Sequence, residues 1–365
     1  MTASPSRGKR GLLPNVFLVL GTLILLVPFA EVVVRIVYPQ TLPSQEFLRG
    51  FVLKDMYVPD DRAGYRLAPG FSGRIERLGI VTEFSTSSLG LRAAELGPKE
   101  KIRILALGDS FTWGWGVKQG EEWISVVGRK LNEEPGPGPV AAINGGVNGY
   151  GTENALALLK RIGPDVEPDL VLLGFFANDY TDNLLGAKGI YSVRDGYLFD
   201  HLSHAYFEEN FLARESHLYR LLHTAGETFR VKYLGGVPSA RAARQFSAAE
   251  FEQGRDRSEE LILALREKCE ELGARFAVVW LPADVYAGRG TRPEDIPLRF
   301  ELQRRVAAAG IPSLDLLPVV AREPRIGGLY LPNDGHFSVR GNAVAGRAVA
   351  RWIREEGLVP PRPGG

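Results

Sequence analysis

The stretch Ile102-Arg103-Ile104-Leu105-Ala106-Leu107-Gly108-Asp109-Ser110-Phe111-Thr112 reads as a buried strand that turns sharply toward a helix. Ile102–Leu107 is a compact apolar run, the pattern of a parallel strand covered on both faces. Outward from it, Glu121–Leu131 reads as a helix and Val140–Ile143 as a second strand. Thr152 caps a helix running toward Arg161, and Leu170–Phe176 is a third strand. After an interruption come a helix over Ala248–Leu272, a fourth strand at Phe276–Leu281 and a helix over Leu298–Ala309. A short fifth strand near Pro312–Leu314 and a last helix over Val339–Glu356 complete the series. Strands separated by helices pair in parallel, so the expected fold is α/β: a three-layer sandwich around a central parallel sheet of about five strands. Ligands bind beyond the carboxyl ends of such strands, and the chemistry is to be sought in the loops that follow each one.

The remaining chain divides around this core. Leu12–Val34 is a run of 23 residues with one charge, Glu31. As a helix it extends roughly 34 Å, enough to cross a hydrocarbon layer of about 30 Å. Arg7, Lys9 and Arg10 precede it, which orients residues 1–11 to the cytoplasm and everything after Tyr38 outside, periplasmic or extracellular. The competing reading is a cleaved leader. That would need a shorter apolar core and a small-x-small site, of which Pro28-Phe29-Ala30 is a poor version. Residues 35–101 are expected to form a linker and a strand-rich extension, and residues 102–357 the α/β domain. Residues 186–246 are expected to form a mainly helical insertion over or beside the site, and 358–365 a loose tail rich in Pro and Gly.

Composition narrows the function. With 45% hydrophobic and 24% charged residues among 365, the composition suits a normal core and a solvated surface and excludes disorder along the whole length. Lys+Arg at 44 against Asp+Glu at 43 leaves a formal charge of +1 and argues against a nucleic-acid partner. One cysteine, Cys269, excludes a disulfide framework and a cysteine-based zinc site, and no cofactor or metal is expected.

Three loops and one segment before the last helix carry reactive groups. Ser110 follows the first strand, where unpaired backbone N–H groups stabilise negative charge; alone it reads as a helix cap before it reads as a nucleophile. Asn144–Thr152 holds four glycines, so its backbone can approach a ligand closely, as a plain flexible loop also could. After the third strand, Asn178 offers an amide that donates to an oxyanion without adding charge, while Asp109 and Asp179 suit loop bracing. Before the last helix, His336 can take a proton from Ser110, and a carboxylate can hold its ring. His201, His204, His217 and His223 have no such partner pattern.

These four blocks, in this order, resemble the SGNH hydrolases, the GDSL esterase/lipase family, over about Ile102–Asn183 and Phe276–Glu356. The resemblance implies a flavodoxin-like sheet, Ser110 as nucleophile, His336 as base, and an oxyanion hole made by Ser110, Gly149 and Asn178. Two positions depart from the family pattern. Phe176 stands where glycine is usual, expected either to narrow the acyl site or to turn into the core. Asn333 stands where the family has its aspartate, so the acid falls to Asp334, which Gly335 could allow to turn toward the ring. The expected activity is a serine-dependent acyl-ester hydrolase acting outside the cytoplasmic membrane, with an acylated glycan as one candidate substrate. An O-acyltransferase acting on an envelope polysaccharide and a non-catalytic binding module are the alternatives.

Overall fold

The computed structural model describes residues 12–39, 53–77, 80–133, 139–201, 211–234, 246–283, 296–332 and 334–359. The expected cytoplasmic segment 1–11, His204, Asn333 and residues 360–365 of the expected tail lie outside them.

The chain opens with a helix, α1 (Leu12–Val37), three residues longer than the apolar run suggested. Two antiparallel hairpins follow, β1 (Tyr57–Asp60) with β2 (Gly64–Leu67) and β3 (Ser72–Arg77) with β4 (Ile80–Ser85). Then comes the α/β alternation: β5 (Ile102–Gly108), α2 (Ser110–Trp113), α3 (Trp123–Glu133), β6 (Val140–Gly146), α4 (Thr152–Val166), β7 (Leu170–Phe175) and α5 (Asp179–Leu185). The insertion opens with a third hairpin, β8 (Tyr191–Arg194) and β9 (Tyr197–Asp200), before its helices α6 (Phe211–Glu215) and α7 (His217–Leu234). The alternation resumes with α8 (Ala248–Glu271), β10 (Arg275–Trp280), α9 (Pro297–Ala308), β11 (Ser313–Asp315), α10 (Leu317–Ala321) and α11 (Val339–Glu355).

Five parallel strands form one sheet in the order β11-β10-β7-β5-β6. From β5 the chain passes first to β6 on one side and then to β7 on the other. The order therefore reverses at β5 and β7, the position where open α/β sheets hold their ligands. Side chains alternate between two cores. Leu105, Leu107, Val171, Leu173 and Val278 pack beneath α4, α8 and α9 through Leu159, Ile262, Leu265 and Leu302. Ile104, Ala106, Leu172, Ala277 and Val279 pack beneath α3 and α11 through Ile124, Val127, Ala345, Val349 and Ile353. Both faces are covered, as the unbroken apolar runs require.

Two strand ends beside the carboxyl edge of the sheet differ from the sequence reading. The second strand runs on through Asn144-Gly145-Gly146, residues assigned above to a loop, because Gly146 pairs in register with Gly108 at the end of β5. The third ends at Phe175, leaving Phe176 as the first residue beyond the sheet. The hairpins of the extension belong to the same compact unit as the sheet, residues 48–201 and 244–365, and share its core through Met56, Tyr57, Tyr65, Ile75, Phe84 and Leu91.

A second compact unit comprises residues 1–47 and 202–243. Within it α1 and α7 are joined by Glu31, whose carboxylate accepts from the Ser216 hydroxyl at 2.7 Å and from the His217 and Leu218 N–H groups at 2.9 and 2.8 Å. Those N–H groups belong to the first turn of α7, which has no intrahelical acceptors for them. Arg35 pairs with Glu31 one turn on, at 2.7 Å, and donates to the Glu215 carbonyl. Apolar side chains on α1, among them Phe17, Leu18, Ile24, Leu25 and Phe29, are exposed, and the helix is long and apolar enough to cross a membrane.

Candidate active site

Ser110 is the first residue of α2, directly beyond β5. The Asp109 side chain caps the helix by accepting from the Phe111 N–H at 2.9 Å, so Asp109 braces the turn. The Ser110 N–H stays at the helix start, where it has no intrahelical acceptor. A short helix can lie so close to the strand ends because β6 finishes in glycine: a Cβ on Gly146 would stand 2.3 Å from the Trp113 nitrogen. From the extension, Arg92 clamps the far end of α2. It donates to the carbonyls of Trp113 at 2.7 Å, Gly114 at 2.8 Å and Val117 at 2.8 Å, with its guanidinium over the Trp113 ring. Burial pushes Arg92 down to about 10, against the pull of Glu122 and Glu121. It therefore stays charged at neutral pH.

Ser110 Oγ lies 2.7 Å from His336 Nε2, across 226 residues of chain. His336 Nδ1 lies 2.6 Å from Asp334 Oδ1. Both residues sit in a tight loop before α11, closed by the Tyr330–Phe337 bridge and by the Leu331 N–H to the His336 carbonyl at 2.8 Å. Gly335 adopts φ of +87°, and this left-handed turn lets a carboxylate two positions away fold back onto the ring. The other Asp334 oxygen accepts from Trp115 Nε1 at 3.1 Å. Burial works to raise the Asp334 pKa, but the hydrogen bonds from the His336 ring and N–H and from Trp115 outweigh it and hold the group below the ordinary carboxylate value. An ionised carboxylate can only accept, so it keeps the ring proton on Nδ1 and leaves Nε2 as the acceptor facing Ser110.

Gly149 and Asn178 follow the two strands that flank β5, whose ends align with it through Gly108–Gly146 and Gly108–Gly174. Gly149 has φ of +78°, a conformation few other residues adopt. Asn178 donates from Nδ2 to Asp182 Oδ2 at 2.9 Å. The buried Asp182 carboxylate can accept only from the amide's NH2, so it fixes which way Asn178 faces and leaves the second N–H available. Asp179 accepts from the Phe176 N–H at 3.1 Å and so braces the loop.

Phe176 turns in part toward the core, packing against the cluster beneath α3 and α11. Half-buried, it stacks on Phe111 with ring centroids 4.1 Å apart, and Phe111 in turn lies 4.8 Å from the His336 ring. The bulky substitute for glycine thus backs an aromatic wall beside the histidine.

Sequence reasoning missed Trp115, Arg92 and the tyrosines of β1 and β2 that reach the Gly149 loop. Trp115 follows Ser110 by five residues in the chain, and its partner is 219 residues away. No local signal marks such a contact. Cys269 is buried and its thiol is pushed up to about 12 by that burial, consistent with packing. Among the other histidines, His201 lies against Phe199 beside the β8–β9 hairpin, and His223 stacks on Tyr219 in α7.

Residues 106–344 match the family model described as GDSL-like lipase/acylhydrolase. No curated protein matches the chain. Among solved structures, it is similar to a lipase/acylhydrolase from Enterococcus faecalis, at 20% identity and a TM-score of 0.41 over 70% of this chain and 96% of that one. It is also similar to a lipase from a goat rumen metagenome, at 16% identity and a TM-score of 0.44 over 70% and 98%. A third similar structure is a psychrotrophic esterase from Pseudoalteromonas sp., at 15% identity and a TM-score of 0.38 over 70% and 97%.

Proposed function

This chain belongs to the family of GDSL-like lipases and acylhydrolases, and on that footing we propose that it is a serine-dependent esterase acting outside the cytoplasmic membrane through an acyl-enzyme. His336 Nε2 takes the Ser110 proton as Oγ attacks the ester carbonyl. The oxyanion is held by the N–H groups of Ser110 and Gly149 and by the Asn178 amide; losing one such donor costs about 10²- to 10³-fold in rate. The tetrahedral adduct collapses, and the alcohol leaves with the proton that His336 returns. Water then gives a proton to His336 and its oxygen attacks the acyl-serine, which releases the acid and restores Ser110.

The observation that carries this reading is the pair of contacts in series, 2.7 Å from Ser110 to His336 and 2.6 Å from His336 to Asp334. Ser110→Ala in the purified protein is expected to abolish hydrolysis of a p-nitrophenyl acyl ester and labelling by a serine-directed phosphonate. Labelling that persists in Ser110→Ala would remove the nucleophile assignment. A wild-type protein that neither turns over the ester nor takes the label would instead be a binding module on the same fold. Product analysis with and without an oligosaccharide acceptor separates hydrolysis from acyl transfer: free acid in both cases supports the esterase, and acylated sugar overturns it. The outward location draws support from the apolar helix α1 and the Arg7, Lys9 and Arg10 that precede it.

A further inference from the structure

The peptide between Asn148 and Gly149 carries, on one plane, the Gly149 N–H and the Asn148 carbonyl. No peptide in the described chain is cis, so the two groups point in opposite directions and orienting one orients the other. The Asn148 carbonyl accepts from the Tyr65 hydroxyl at 2.8 Å. Among the described residues no acceptor lies on the Gly149 N–H.

Tyr65 is itself firmly held. It is 1% exposed, and its ring meets Tyr57, Tyr150 and Tyr191 edge-on at centroid distances of 5.5, 5.2 and 5.9 Å. Its own carbonyl accepts from the Tyr150 hydroxyl at 2.5 Å. A Cβ on Gly149 would stand 2.9 Å from the Tyr65 oxygen and 2.6 Å from the Tyr191 ring, so this peptide has no room to swing that way. Burial raises the Tyr65 pKa well above the ordinary value, and the hydroxyl remains a donor throughout the working pH range. A donor on a carbonyl also polarises the N–H of the same amide and strengthens it toward an acceptor beyond.

We propose that Tyr65, on the second strand of the N-terminal extension, is a positioning residue for the oxyanion hole, aiming and polarising the Gly149 N–H through the Asn148 carbonyl. The inference rests on the reading of Gly149 as an oxyanion donor given above. Unlike loss of a packing contact, loss of this role weakens binding of the charged tetrahedral state and leaves ground-state binding alone.

Tyr65→Phe keeps the ring and removes the hydroxyl. Because a misaimed donor loses part of what a deleted donor loses, kcat on a soluble acyl ester is expected to fall roughly 10- to 100-fold. KM should stay within about twofold, since the lost interaction forms only in the transition state. Affinity for a trifluoromethyl ketone, whose serine adduct carries the oxyanion, should fall by the same factor as kcat. Should Tyr65→Phe fail to fold, 4-aminophenylalanine and 4-methylphenylalanine at position 65 make the comparison at nearly full volume. The first keeps a donor and should retain activity, and the second should lose it. Unchanged kcat and ketone affinity in Tyr65→Phe, with Asn178→Ala lowering both, overturns the role of Tyr65 and leaves the oxyanion hole standing. If neither variant changes them, the oxyanion-hole reading itself fails and the proposal fails with it.

Discussion

Asp334 does two jobs with two oxygens: one holds the His336 ring and the other accepts from Trp115. Asp334→Asn replaces a group that only accepts with one that can donate, which allows the imidazole proton to move to Nε2, the wrong side for accepting from Ser110. Its kcat is expected to fall about 10²- to 10⁴-fold with the fold intact, as measured by ester turnover beside a circular-dichroism melt. Trp115→Phe removes one of the contacts that lower the Asp334 pKa. A carboxylate with a depressed folded pKa contributes stability above its unfolded value, near 3.8, and loses it as pH falls through the folded value. The melting-temperature gap between wild type and Trp115→Phe should therefore be widest near neutral pH and narrow as pH drops below about 4. A gap independent of pH would mean that Trp115 contributes packing alone. At this scale Ser110, His336 and Asp334 were each visible in the sequence as reactive types beside strand ends or a helix start. Trp115 was not, because nothing near it in the chain indicates which carboxylate its N–H will meet.

Strands and helices of the sheet were legible because a strand buried on both faces must be apolar throughout, as in Leu170–Phe175. The end of the second strand was misread for an equally physical reason. Asn144-Gly145-Gly146 lacks the residues that favour strands, and its pairing is imposed by β5 alongside and by the approach of α2 across Gly146. Gly146→Ala puts a methyl group against the backbone of α2, where no side chain can yield. Overpacking of this kind costs about 1–3 kcal/mol. The variant is expected to melt lower and to lose a larger share of kcat than its stability loss explains, because displacing α2 displaces Ser110. A variant with a lower melting temperature but unchanged kcat would show that Ser110 does not move with the helix. The extension shows the same limit of local reading. Its short strands were foreseen, but the reach of Arg92 to three carbonyls around the end of α2 depends on chain distances of about twenty residues and on a fold already formed.

At the scale of the whole molecule, the chain forms two compact units, the hydrolase unit with its hairpins and the unit of α1 with α6 and α7. If α1 is retained as an anchor, the protein should stay with membranes through an alkaline carbonate wash and leave them only in detergent. Release into the soluble fraction as a chain shortened at its N-terminus would identify a cleaved leader instead. The sequence by itself determined the sheet, the apolar N-terminal segment and the types of reactive side chain available, because periodicity, length and chemistry are local properties of a chain. Only the tertiary structure decided which carboxylate oxygen meets which ring nitrogen, what Phe176 packs against, and that tyrosines from one hairpin meet a glycine-rich loop more than eighty residues away. Those contacts depend on distance and angle between remote segments, which no run of residues encodes until the chain has folded.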